Sequence, residues 1–473
     1  MLFNSFEFLI FFPVVTILFF LLPHKFRWSL LLTASCIFYM AFVPYYILIL
    51  FFTIIVDYIA GILLENEKNP KRKKLFLLLS LVANIGILVF FKYYNFININ
   101  ISSLLNLFDL KNPVSLLHIV LPIGLSFHTF QAMSYTIEVY RGHFKAERHF
   151  GIYALYVMFY PQLVAGPIER PQNVLPQLHI KQHFDPGRII AGLQLILWGL
   201  VKKIVIADRL TIYVDEVFRH PGDFHSLNLI LAVYFFSFQI YCDFSGYSDI
   251  AIGCAKIMGI NLMQNFGRPY FSTDIRMFWS RWHISLSTWF RDYLYIPLGG
   301  NRINFTRNCL NIFIVFLLSG FWHGANWTFI VWGAIHGIYI MVQILINKFF
   351  PGEKSLRNGI VKAVYTLITF NLVAFAWIFF RAESVSKAAL FINGIFSSSG
   401  HPFSFTIRKF GTLSLSIAIA SVLIMMLFEY FTSYDLKELG KKKSMGMLFS
   451  CLCIILMVAI GVFNGQTFIY FQF

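Results

Sequence analysis

The sequence predicts an all-α, polytopic transmembrane protein, and three observations carry that prediction. The 473 residues are 58% hydrophobic, 19% aromatic and only 13% charged, more apolar side chain than a water-soluble core can hide, so lipid is the main solvent. Apolar runs recur that approach the roughly 20 residues a helix needs to cross about 30 Å of hydrocarbon. No repeat, linker or long hydrophilic stretch divides the chain, so residues 1–473 read as a single membrane domain.

In chain order, the predicted spans are 6–22, 29–43, 46–64, 75–91, 114–137, 188–207, 227–242, 310–349 with a break near 322, 361–380, 411–430 and 446–466. With a shorter apolar piece at 151–166, that makes roughly ten to twelve membrane segments, all helical because lipid leaves no other partner for backbone groups. Phe6–Leu22 has the length of a signal peptide but lacks a basic leader and a small-residue cleavage site, so it reads as retained. Between Pro161 and Pro186 the run GPIERPQNVLPQLH carries too much proline and polarity to span. Gly267–Thr306 is basic and aromatic: Arg268, Arg276, Arg281, Arg291 and Arg302 outnumber Asp274 and Asp292, and Trp279, Trp282 and Trp289 interleave with them. Such a stretch suits a headgroup-level helix or a re-entrant segment lining a wet cavity.

The net charge of +16 does not point to nucleic acid, because Lys and Arg sit in short connections between apolar spans, the pattern of topology signals and lipid headgroups. Lys25 with Arg27, Lys71–Lys74 and Arg141–Arg148 fall in alternate connections, which puts those loops in the cytoplasm and the N-terminus outside. Lys202 and Lys203 do not fit that scheme. The six cysteines show no spacing for disulfides or zinc and read as buried thiols.

Polar residues inside membranes are costly, so function is expected between about 160 and 340, where they concentrate. In SGFWHGANW, residues 319–327, His323 stands among small and aromatic residues. Neutral His323 could take a proton from an attacking hydroxyl, or it could be a structural histidine bonded to a carbonyl freed at Gly320 or Gly324. His336 lies thirteen residues on, roughly 20 Å along an unbroken helix, and Gly333 and Gly337 flank it in a small-xxx-small pattern of close helix packing. His283, in SRWHISLSTWF, reads either as a second active-site group or as an interfacial histidine. Asp243 and Asp249 lie in YCDFSGYSD, where Asp243 could orient a histidine or pair with an arginine, or either Asp243 or Ser245 could cap a helix start. No HExxH, GxSxG or GxxxxGK[ST] motif appears, which removes several hydrolytic and nucleotide-hydrolysing classes.

These residues resemble the membrane-bound O-acyltransferase family, in its bacterial alginate O-acetyltransferase-like branch. The resemblance rests on FKYYNF (91–96), LPIGLSFHTFQAMSY (121–135), PQLVAGPIERP (161–171), FQIYCDFSGYSDIAIG (238–253), NFGRPYFSTDIRMFWSRWHISLSTWFRDYLYIPLGG (265–300) and SGFWHGANWTFIVWGAIHG (319–337). It implies a ring of tilted helices around a central tunnel with re-entrant segments. It also implies catalytic His323 and His283, with Asp243 and Asn326 as supporting polar groups. The implied donor is cytoplasmic acetyl-CoA, held through Arg268, Arg276, Arg281 and Arg291, with no metal. The implied partners are membrane lipids, an extracytoplasmic polysaccharide acceptor and a secreted SGNH-type transferase, in the bacterial cytoplasmic (inner) membrane. The aromatic segment FIYFQF, Phe468–Phe473, reads either as an interfacial anchor or as an acyl relay through Tyr470. A transporter or flippase is the alternative class, and it predicts inverted repeats that the sequence does not display.

Overall fold

The computed structural model describes residues 1–164, 166–349, 359–397, 400–432, 443–463 and 468–469. Every regular element among them is helical, apart from one isolated bridge between Phe224 and His401. Eight helices are long and apolar enough to cross a membrane, and three shorter apolar ones, Phe6–Leu21, Val385–Ile395 and Ser444–Ile460, accompany them. The protein is a multi-pass membrane protein, with fewer full-length crossings among the described residues than apolar runs in the sequence. The chain divides into two compact units, Met1–Leu193 with Ala251–Met263, and Gln194–Ile250 with Gln264–Phe473.

In the first unit, the Leu125–Arg141 helix is flanked by Ile47–Asn66 and Pro70–Leu88, and nearly all of it is buried. Three of its polar side chains have backbone partners: Thr129 and Ser134 donate to carbonyls one turn back, and Gln131 donates to the Tyr156 carbonyl. The predicted span 114–137 is corrected here. Residues 110–122 form no helix, because Pro113 and Pro122 interrupt it and Gly124, at φ 75°, starts the next helix from the left-handed region. The preceding helix supplies the missing partners. Asn95 exchanges hydrogen bonds with both Leu117 backbone groups at 2.7 and 3.0 Å, and Asn98 donates to the Val114 carbonyl. Pro171–His179 is a short helix, as its prolines require. The loop before it is held by Glu169, which accepts from Asn173 and from the Met263 backbone. Burial raises the Glu169 carboxyl to about 7.

In the second unit, the predicted break near 322 is present. Phe305–His323 and Trp327–Phe349 form a hairpin with Gly324 extended between them. Gly320 and Gly333 let the backbones touch, since a Cβ on either would strike a carbonyl of the facing helix, that of Phe329 or Phe316. The basic aromatic segment folds as short helices, Ile275–Trp279 and Ile284–Phe290, and a π-helical turn Arg291–Tyr295. Lys202 and Lys203 are no topology signal. Both are buried on a π-helical stretch, Val201–Ala207, within a long apolar helix. Lys202 pairs with Asp249, and Lys203 lies 2.9 Å from Asp208 and 2.7 Å from Asp243.

Candidate active site

His323 is the last residue of its helix, where the aligned peptide dipoles end negative and a transient positive charge is best tolerated. Its ring stands edge-on to Trp332 at 5.1 Å and to Phe380 at 5.3 Å, and Trp322 lies at 5.0 Å. His336 meets the same Trp332 indole, at 5.0 Å. The helix break therefore removes the separation an unbroken helix would impose, and the two imidazoles lie within about 10 Å of one another. They differ in what they can do. Nδ1 of His336 accepts from the Trp279 indole N–H at 3.3 Å, and an indole can only donate, so the lone pair of neutral His336 is already occupied.

His283 presents the opposite tautomer. It is buried at φ 43°, capping the Ile284–Phe290 helix from the left-handed region. Its Nδ1 lies 3.2 Å from Asn265 Oδ1. That oxygen also receives the Ser285 backbone N–H at 3.2 Å and the Ser285 hydroxyl at 2.8 Å, while Asn265 Nδ2 donates to Ser248. A backbone N–H can meet only the amide oxygen, so the amide orientation is fixed and His283 Nδ1 must carry the proton. Nε2 then holds the lone pair. Burial lowers the His283 pKa to about 3, so the ring is neutral at ordinary pH. Trp322 lies 6.4 Å from this ring and 5.0 Å from that of His323. Sequence reasoning placed Ser285 beside His283 but missed Asn265 and Ser248; the motif NFGRPYF begins at Asn265 but gives no sign of its partner.

A cavity of about 610 Å³ opens in the same unit. Arg276, Arg291, Tyr295, Asn301 and Asn308 supply polar groups, and Trp279, Phe316, Ser319 and Ile340 form its apolar side. Trp279 and Phe316 are the rings that flank His336, at 5.0 and 6.3 Å, and Ser319 is one turn before His323. Two of the four arginines singled out in the sequence thus face the cavity. The other two turn to backbone carbonyls, Arg268 to Glu429 and Arg281 to Phe271.

Asp243 lies in the middle of the Ser226–Ile257 helix, so neither it nor Ser245 caps a helix start. Nor does Asp243 pair with an arginine: one oxygen meets Lys203, and the other accepts the Ile469 backbone N–H at 2.7 Å. Phe468 and Ile469 are buried, with Phe468 against Tyr247 at 4.7 Å and Phe244 at 5.7 Å. Phe244 in turn meets His283 at 4.6 Å. These two residues therefore pack against the Ser226–Ile257 helix, while Tyr470 falls outside the described residues. Asn326 caps the Trp327–Phe349 helix, accepting from the Thr328 N–H and donating to the Glu383 carbonyl.

The second unit thus combines a neutral buried histidine of defined tautomer with a cavity that has arginine and apolar walls. Comparison with known proteins specifies the family. The family model of the membrane-bound O-acyltransferases matches residues 143–382. The chain is 37% identical over 403 residues to a probable alginate O-acetylase, AlgI, of Pseudomonas aeruginosa, covering 84% of this chain and 75% of that one. It is 35% identical over 396 residues to a peptidoglycan O-acetyltransferase of Helicobacter pylori, covering 78% and 74%. It is 31% identical over 281 residues to a teichoic acid D-alanyltransferase of Streptococcus thermophilus, covering 54% and 68%. The chain belongs to the membrane-bound O-acyltransferase family.

Proposed function

We propose that the protein is an O-acetyltransferase of the bacterial cytoplasmic (inner) membrane that takes acetyl groups from cytoplasmic acetyl-CoA and passes them to an extracytoplasmic polysaccharide. The observation that carries this reading is the cavity, whose cationic wall suits the phosphates of the donor and whose apolar wall abuts the histidine cluster. Arg276 and Arg291 hold the phosphates, with Arg268 and Arg281 adding positive potential from the same segment. An acceptor hydroxyl gives its proton to His323 as its oxygen attacks the thioester carbonyl. The C–S bond then breaks, and the imidazolium returns the proton to the departing thiolate, so free CoA leaves as the thiol. His283, fixed by Asn265, supports the same centre.

The relatives named for alginate and peptidoglycan O-acetylation support a polysaccharide acceptor. A secreted SGNH-type partner completes the transfer, and Tyr470 relays the acyl group to it. A phenol, with a pKa near 10, leaves more readily than an alkyl alcohol, which makes an aryl ester a reactive donor. The experiment is release of free CoA from acetyl-CoA by the purified chain supplied with acceptor and partner. Turnover is expected; transport of the acceptor without CoA release would assign the chain to the transporter class. Tyr470→Phe keeps the aromatic ring and deletes only the nucleophile, so polymer acetylation should cease while membrane insertion is normal. Full acetylation by that variant would remove the relay.

A further inference from the structure

The first unit contains a second, smaller cavity of about 220 Å³. Its polar rim is basic: His24, Lys25, Arg27, His149 and His179 line it with Gln177 and Gln182, and no carboxylate is among the lining residues. Glu147 reaches two rim residues, accepting the His149 backbone N–H at 2.8 Å and meeting His179 Nε2 at 2.8 Å. The remaining wall is apolar, from Phe19, Leu31, Ile152, Leu155 and Ile260.

The rim is built rather than incidental. Arg27 is only 9% exposed, and two of its N–H groups are committed, Nε to the Leu22 carbonyl at 3.1 Å and Nη1 to the Gln182 carbonyl at 2.5 Å. Its ring contact with Phe19, at 4.8 Å, fixes the guanidinium plane. A guanidinium has five N–H groups, so three remain for a ligand. His149 Nδ1 accepts the Ile152 backbone N–H at 3.2 Å, which leaves Nε2 carrying the proton as a second donor, and Trp28 backs the ring at 4.7 Å. His24 is fixed by its contact with the His179 carbonyl at 3.2 Å. Lys25, whose Nζ lies 5.0 Å from the Phe26 ring centroid, adds a point charge. Convergent fixed donors, the cations Arg27 and Lys25 and an apolar floor make a site for an anion attached to a hydrophobic body. The volume equals about seven waters, room for a phosphate and its ester neighbours rather than a nucleotide.

We propose that this cavity binds a phosphate ester anion through Arg27, Lys25 and His149, with the apolar side of an amphiphilic ligand against Phe19 and Leu31. An anionic phospholipid headgroup and a free phosphate share that chemistry. The site lies in the first unit, and the proposal is independent of acetyl transfer.

The test is the thermal midpoint of delipidated protein in detergent, with phosphatidylglycerol, phosphatidylcholine or inorganic phosphate added. Phosphatidylglycerol should raise the midpoint by about 3 °C or more near saturation, and phosphatidylcholine much less. A comparable rise with inorganic phosphate would support the site with the free anion as its source. The rise should vanish in Arg27→Gln. Since Arg27 also holds two carbonyls, the double variant Lys25→Gln/His149→Gln, which leaves those bonds intact, should lose most of it too. No shift with any of the three additives, or a full shift surviving in the double variant, would overturn the proposal.

Discussion

Each unit buries a polar cluster among apolar helices, and the two clusters are closed in different ways. In the first unit Asp57 is fully buried, and neutral donors satisfy it. Ser80 donates to it at 2.5 Å, Asn84 reaches both oxygens at 2.9 Å, and Ser80 also meets Thr136. The donors are fixed by three packed helices, and none of these groups lines either cavity. In the second unit Asn265 and Ser285 hold His283 and the Trp279 indole holds His336, while aromatic rings surround both and His323, and Trp279 also lines a large cavity. A polar group whose bonds are taken up internally stabilises a fold; an imidazole set among aromatic rings next to residues that line a cavity can do chemistry.

That contrast yields graded expectations. His323→Ala should lower acetyl transfer by about 10³-fold or more, measured as CoA release, with an unchanged melting midpoint. Asp57→Ala should do the reverse. It strands the Ser80 and Asn84 donors, costs about 2–4 kcal/mol of stability, and leaves turnover per folded molecule unchanged. Collapse of turnover in well-folded Asp57→Ala would break the comparison outright. Asn265→Ala should reduce kcat by about tenfold to a hundredfold with donor KM nearly constant, because only the His283 tautomer and orientation are lost. Arg276→Gln and Arg291→Gln should each raise donor KM several-fold, roughly 1 kcal/mol, with less salt dependence than the wild type. Equal KM values would leave these arginines to the lipid phosphates.

The smallest effect concerns pH. His283 has a folded pKa of about 3 against an ordinary value of 6.5, so between those values the unfolded chain binds a proton that the folded chain does not. Stability therefore falls as pH drops through that window. His283→Gln should flatten the slope of melting midpoint against pH between 5 and 7; an unaltered slope would mean the ring is not held neutral.

Much of this was legible in the residues themselves. Apolar length gave the long helices, and small residues at Gly320, Gly324 and Gly333 marked the break and the tight hairpin. The interleaved Arg and Trp of 267–306 announced the irregular segment that lines the cavity. What stayed hidden depended on partners distant in sequence. Hydropathy could not reveal that residues 110–122 leave the helix, since their hydrogen bonds come from Asn95 and Asn98. Lys202 and Lys203 resembled misplaced topology signals because their carboxylates lie on other turns of helix, at Asp249, Asp208 and Asp243. Asn265 is an unremarkable amide until the Ser285 N–H fixes its oxygen and thereby the His283 proton. Asp243 was singled out for its cost, yet the partners it meets are Lys203 and the Ile469 backbone.

The central claim is that the donor occupies the cavity between Arg276, Arg291 and the hairpin that carries His323. A cryo-electron microscopy structure with a non-reactive acetyl-CoA analogue, its sulfur replaced by methylene, tests it directly. The account predicts analogue phosphates against Arg276 and Arg291, and the acetyl carbonyl close enough to His323 for a bound hydroxyl to bridge them, about 3 Å from each. An analogue seated elsewhere, with its acetyl group remote from both His323 and His283, would contradict it.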